Sequence, residues 1–84
     1  MNYIKIPLNI IEDKDLSSSA KILYGYLLLL THKKGYCYAS NDYLKNELEI
    51  SSRSITRLLR ELKNNHYISL KYEINYKRKI YING

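Results

Sequence analysis

Arg53, Arg57, Arg60 and Asn64 recur at helical spacing, as do Ile55, Leu58, Leu59 and Leu62 at i, i+3, i+4 and i+7. At about 100° per residue the two sets fall on opposite sides of one helix. The spacing therefore predicts a helix over residues 51–65 with an apolar stripe turned to a core. The polar set projects within roughly 35° of the direction opposite that stripe, flanked by Thr56 and Lys63. Guanidinium and carboxamide groups can bond bidentately to guanine and adenine edges, and the Ser52, Ser54 and Thr56 hydroxyls suit phosphate or base contacts. An ordinary solvated helix face is the other reading of such a ridge. A solvated face usually interleaves Glu with Lys or Arg, whereas only Glu61 lies near this one.

The charge of the whole chain points the same way. From Ser51 onward eight basic residues (Arg53, Arg57, Arg60, Lys63, Lys71, Lys77, Arg78, Lys79) stand against two acids, Glu61 and Glu73, whereas residues 1–50 hold six Lys and six Asp or Glu. All of the net +6 thus lies in the last 34 residues. Packing gives no reason to segregate charge this way; laying one face on a polyanion does.

The elements that must carry this ridge are legible along the chain. Its 84 residues make one domain, 1–84, large enough for a small core. Residues 1–15 form an N-terminal arm in which residues 3–12 alternate loosely around Pro7 and read as extended, with Ile4, Ile6, Leu8 and Ile11 seeking an apolar surface. The acids Glu12, Asp13 and Asp15 precede the first helix, where negative charge is favourable. Leu16-Ser17-Ser18-Ser19 supplies an N-cap signal, and the helix runs to about Thr31 or Lys33 before Gly35 ends it. Its stripe is Leu16, Ala20, Leu23, Leu27 and Leu30. A second apolar face, Ile22, Tyr26 and Leu29, must be covered by the arm, by a second protomer, or by both. Tyr36 to Ala39 is strand-like. Residues 41–65 then read as a helix-turn-helix: Ser40-Asn41-Asp42 caps a short helix over Asn41–Leu48, Ile50 plugs the turn, and Ser51 caps the basic helix. Residues 67–82 switch to period two and fold back as a hairpin. Its tip holds Asn75 for the turn and Lys77, Arg78 and Lys79 for charge, the composition of a wing. The other reading of that charge is protection of an edge strand. The fold class is α+β: three helices with a small antiparallel sheet and a C-terminal hairpin wing.

Other chemistry finds little support. One cysteine, Cys37, permits no internal disulfide, and with only His32 and His66 beside it there is no credible zinc set. Both histidines fall at helix ends, where a cation is favourable. No catalytic triad, paired carboxylate or glycine-rich phosphate loop can be assembled. The expectation is a protein without enzymatic activity, metal or cofactor. Neither the N-terminus nor Leu27 to Leu30 resembles a signal peptide or a membrane span, so a cytoplasmic protein is expected. Lys, Asn, Ile and Tyr together supply 39 residues, and Phe and Trp are absent. Such AT-rich codon usage suits a low-GC bacterium or one of its mobile elements. Among the ten tyrosines, Tyr3, Tyr24, Tyr36, Tyr38 and Tyr67 are placed to replace Phe and Trp in the core.

The run Ile6-Pro7-Leu8, Leu16-Ser17-Ser18-Ser19-Ala20-Lys21-Ile22-Leu23-Tyr24, Gly35-Tyr36-Cys37-Tyr38-Ala39-Ser40-Asn41, Tyr43-Leu44, Ile50-Ser51-Ser52-Arg53-Ser54-Ile55, Leu62 and Tyr67-Ile68 resembles a bacterial family. It is similar to the winged helix-turn-helix domain at the N-terminus of plasmid and phage replication initiators and DnaD-like replisome organisers, over nearly the whole chain. The resemblance implies that residues 51–65 are the recognition helix, with Ser52, Arg53, Ser54, Thr56, Arg57 and Arg60 facing DNA and the residues near Lys77 forming the wing. Where the family commonly has Gly after that helix, this chain has Asn65-His66, and Asn tolerates the left-handed conformation best among the other residues. Together with the ridge this gives double-stranded DNA as the expected partner of Ser52, Arg53, Ser54, Thr56, Arg57, Arg60, Lys63, Asn64, Lys77, Arg78 and Lys79. The expected role is that of a phage- or plasmid-type regulator of transcription or replication, with Ile22, Tyr26 and Leu29 as a homodimer face. Two alternatives remain: a mobile-element inhibitor or adaptor that binds a protein partner, and stacking of unpaired bases on Tyr72, Tyr76 and Tyr81.

Overall fold

Three serines start the three main helices. In a computed structural model that describes residues 4–73 and 77–83, Ser17 Oγ accepts from the Ala20 amide at 3.2 Å, Ser40 Oγ from Tyr43 at 3.1 Å and Ser51 Oγ from Ser54 at 3.1 Å. Each satisfies an amide that the first helical turn leaves without a partner. The elements are α1 (Leu8–Ile11), α2 (Ser18–Thr31), α3 (Asn41–Leu48), α4 (Ser52–Asn64), β1 (Ile68–Tyr72) and β2 (Arg78–Ile82). After α2, Gly35 adopts φ +80°, and its amide closes on the Thr31 carbonyl at 2.8 Å. Between α3 and α4, Glu49 turns the chain at φ 56°, with Ile50 half-buried behind it.

The core is the predicted one in its main lines. Leu16, Ala20, Leu23 and Leu27 of the first stripe, Leu44 of α3, and Ile55, Leu58, Leu59 and Leu62 of α4 are all buried, together with Cys37, Ile68 and Ile80. β1 and β2 pair antiparallel, Ile68 opposite Ile82 through Tyr72 opposite Arg78. Cys37 joins on the far side of β2, exchanging both backbone hydrogen bonds with Ile80 at 2.9 Å. β2 thus has β1 along one side and this single bridge, at Ile80, on the other.

Four sequence expectations change. The extended arm contains a helical turn, α1, begun at Pro7, whose fixed φ suits a helix start. The turn alters the phase of the apolar residues: Ile10 is buried, while Leu8 and Ile11, expected inside, are exposed. The left-handed position after α4 belongs to His66 (φ 67°) rather than Asn65, whose side chain instead donates to the Glu61 carbonyl at 2.9 Å. Of the tyrosines assigned to the core, Tyr24 is buried and Tyr67 half-buried, but Tyr38 is 48% exposed. Tyr3 lies outside the described residues, as do Asn75 and Tyr76 at the hairpin tip.

The arm crosses α2 at Gly25, where a Cβ would stand 2.9 Å from Ile6 Cγ1 and 3.3 Å from Ile4 Cδ1. It therefore covers part of the second apolar face of α2. Ile22 and Leu29 on either side of the crossing stay 48% and 39% exposed, and Tyr26 turns to donate to Glu47 at 2.8 Å.

Candidate nucleic-acid interface

α4 presents the ridge that its periodicity predicts. With the leucine stripe buried, Arg53, Thr56, Arg57, Arg60, Lys63 and Asn64 are exposed, and Ser52 and Ser54 are half-buried at its start. The first turn of α4 holds no acid, so its amide dipoles and the Arg53 guanidinium act on an approaching anion with the same sign. Glu61, the one acid of the helix, is turned the other way. Its carboxylate accepts from the Ser17 amide at 2.6 Å and from Ser17 Oγ at 3.1 Å. That carboxylate sits on the positive end of α2, joins α2 to α4 at the surface, and leaves the ridge cationic.

Thr56 is bound into the scaffold more than the sequence suggests. Its hydroxyl donates to the Ser52 carbonyl at 3.1 Å and accepts from Asn41 Nδ2 at 2.9 Å. Asn41, at the first position of α3, uses its other side-chain atom to accept from Arg78 Nη1 at 2.7 Å. Arg78 Nη2 donates to the Ala39 carbonyl, also at 2.7 Å. A continuous chain of bonds thus runs from β2 through α3 to α4. Sequence reasoning missed Asn41, because its partners lie 15 and 37 residues away.

Arg78 is accordingly not the free wing cation that the run Lys77-Arg78-Lys79 suggested. Strand periodicity turns it inward with Ile80 and Ile82, opposite Tyr72, and burial pushes the pKa of its guanidinium down. Its Nε is buried without a hydrogen-bond partner. Lys79 points to the other face of the hairpin, where it pairs with Glu73 at 3.1 Å; that carboxylate raises the pKa of its ammonium. Lys77 is exposed at the described base of the tip, its carbonyl accepting from the Glu73 amide at 2.8 Å.

Between α4 and the hairpin lies an open groove of about 410 Å³, lined by Thr56, Arg60 and Lys63 on one wall and Leu70, Tyr72 and Arg78 on the other. The structure therefore brings together Arg53, Thr56, Arg57, Arg60, Lys63 and Asn64 on one helix, with Arg78 as the tie that fixes the hairpin beside them. It separates Lys79 from them. No group of three or more potential metal-ligating side chains occurs among the described residues, and no described helix is long and apolar enough to cross a membrane.

A family model described as a helix-turn-helix domain matches residues 14–68. Two solved structures share the fold at 19% sequence identity, each superposing on 99% of this chain and 75% of its own length. One is described as the N-terminal domain of a DNA-binding protein (TM-score 0.77), the other as a Rep–DNA complex (TM-score 0.76). No curated protein matches the chain at a significant level.

Proposed function

The chain belongs to the helix-turn-helix domain family, and we propose that it binds double-stranded DNA with α4 in the major groove and the hairpin as a wing. The observation that carries this reading is the cationic ridge of α4, from which the helix's one carboxylate has been drawn away to cap α2. Arg53, Arg57, Arg60 and Asn64 reach base edges or phosphates, and Lys63 and Lys77 take backbone phosphates on either side. Neutralised phosphates supply most of the affinity, and contacts to base edges supply the preference. Helix-turn-helix domains are non-catalytic modules, and the one structural relative described as a complex is bound to DNA.

The biological role we propose is regulation of transcription or replication in a bacterial cytoplasm, on a phage or plasmid whose AT-rich coding fits the composition. One domain of this size reads only a few base pairs, so two copies on two half-sites would raise the specificity. The exposed Ile22 and Leu29, beside the arm on α2, are the surface proposed for pairing.

A titration with random duplex, single strand and the DNA flanking its own gene, at about 50 and 200 mM salt, tests the reading. Tight, salt-sensitive duplex binding that prefers the flank supports it. Arg57→Ala should lose the preference while keeping the fold. Equal losses on flank and random duplex would exclude base reading by Arg57, and no duplex binding at the lower salt would shift the case to a protein partner.

A further inference from the structure

The face of the hairpin turned away from the core carries a second assembly that duplex binding by α4 leaves unused. Strand alternation sends Ile68, Leu70, Ile80 and Ile82 toward the core and Lys71, Lys79 and Tyr81 outward. The Cys37–Ile80 bridge brings Tyr36 and Tyr38 beside them. Tyr36 packs against Tyr38 edge-on at 4.9 Å and against Tyr81 at 5.8 Å between ring centroids, and the Tyr36 and Tyr38 hydroxyls share a hydrogen bond of 3.0 Å. Three ammonium groups lie over these rings: Lys79 over Tyr36 at 4.8 Å, Lys34 over Tyr38 at 5.6 Å and Lys71 over Tyr81 at 5.9 Å.

Two features of this face suit an anionic, aromatic ligand. Lys71 and Lys79 stand directly opposite each other on paired strands, where like charges repel; Glu73 neutralises only one of them. Tyr38 keeps 48% of its surface exposed, while Tyr36 packs against its ring and shares its hydroxyl bond. An exposed ring braced in this way among cations is a stacking platform that loses less ordering entropy on binding than a free one.

We propose that this outer face binds an unpaired nucleic-acid strand, with a base taking the place of the Lys34 ammonium on the Tyr38 ring and its neighbouring phosphates on the displaced Lys34 and on Lys71 and Lys79. A duplex would satisfy the ammonium groups but keep its base faces inside the helix, whereas an unpaired strand offers both anionic phosphate and exposed π-face to a surface that holds ammonium groups beside rings. The stacking residues are Tyr36, Tyr38 and Tyr81; Tyr72, expected in that role from sequence, faces the α4 groove instead. The proposal uses no residue of α4 and stands or falls separately from duplex binding.

The test is an anisotropy titration of the intact chain with a labelled oligo-dT of about 12 nucleotides, alongside a duplex. Tyr38→Ala should weaken oligo-dT binding about fivefold or more, with Tyr38→Phe close to wild type. Lys71→Ala should weaken it with a salt slope shallower by about 0.7. Both residues are exposed, so both variants should fold, and neither should alter duplex affinity, whereas Arg57→Ala should weaken the duplex and spare oligo-dT. The proposal is overturned if oligo-dT does not bind at about 50 mM salt, or if Arg57→Ala rather than Tyr38→Ala abolishes its binding.

Discussion

Removing Arg78 separates a cation that builds the proposed interface from one, Lys77, proposed to touch DNA. The Arg78→Ala change deletes two 2.7 Å hydrogen bonds, to Asn41 Oδ1 and to the Ala39 carbonyl, and breaks the chain that continues through Thr56 to α4. Hydrogen bonds involving a charged group contribute about 1.5–3 kcal/mol each, but the full sum is not expected. The guanidinium no longer has to be desolvated, its unpartnered Nε is removed, and an open pocket lined by Ala39 and Asn41 returns water to both acceptors. A net loss of about 2 kcal/mol remains, or roughly 8–16 °C in melting temperature for a domain of this size. Arg78→Lys should lose most of the same stability, because one ammonium on a flexible stem does not reproduce the planar fork that spans both acceptors. Lys77→Ala is the contrast: an unchanged melt, with a duplex-binding salt slope shallower by about 0.9. Circular-dichroism melts and duplex titrations over a salt series read both quantities. An Arg78→Ala protein that melts like wild type and loses slope as Lys77→Ala does would refute the argument and place Arg78 on a phosphate.

The remaining predictions concern stability. Leu59→Ala, at a residue 2% exposed in the α4 stripe, should cost about 2–5 kcal/mol in denaturant unfolding; a loss below about 1 kcal/mol would mean that the site collapses around the cavity. His66→Gly should stabilise by about 1 kcal/mol, since it relieves a left-handed residue at φ 67° at the cost of a more flexible unfolded chain; a lower melting temperature would contradict it. Tyr67→Phe removes the hydroxyl that donates to Asp13 and holds its carboxyl below the usual range. Because the folded pKa is depressed, the stability this bond gives through Asp13 is present above the unfolded carboxylate pKa of about 3.9 and is lost as pH falls through the folded value. The gap between wild type and Tyr67→Phe should therefore narrow from pH 7 toward about 2; a gap independent of pH would remove Asp13 from the account.

What was legible in the sequence was what short-range chemistry decides. Ser17, Ser40 and Ser51 each bond an amide three residues on, so a local pattern suffices to find them, and the leucine spacing of α4 specifies its buried and exposed faces together. Arg78 shows where that ends. In sequence it is one of three adjacent cations, yet period two sends it and Lys79 to opposite faces, and its acceptors on Ala39 and Asn41 come from 39 and 37 residues earlier. Glu61 was visible as the exception in a basic helix, but its purpose required Ser17, 44 residues away. Similarly, Tyr36 and Tyr38 alternate like core strand residues, and only the pairing of Cys37 with Ile80 places them beside Lys79. At the N-terminus, alternation around Pro7 suggested an extended run; Ile4 and Ile6 pack as it implies, but the helical turn after Pro7 puts Ile10 inside in place of Leu8 and Ile11.

The position of Arg78 bears on specificity as well as stability. Contacts to phosphate carry no sequence information unless they fix the register in which base-reading side chains meet the groove. A hairpin free to swing would let Lys77 find a phosphate in any register and would add affinity alone. Bonded through Arg78 and Asn41 to Thr56, the base of the hairpin is instead held beside α4, so in the proposed complex a phosphate on Lys77 would constrain which base edges Arg57 and Arg60 meet. Arg78→Lys, which keeps the charge but not the fork, should accordingly reduce the ratio of preferred-site to random-duplex affinity more than it reduces random-duplex affinity itself. Equal losses on both would mean that the wing contributes charge and no register.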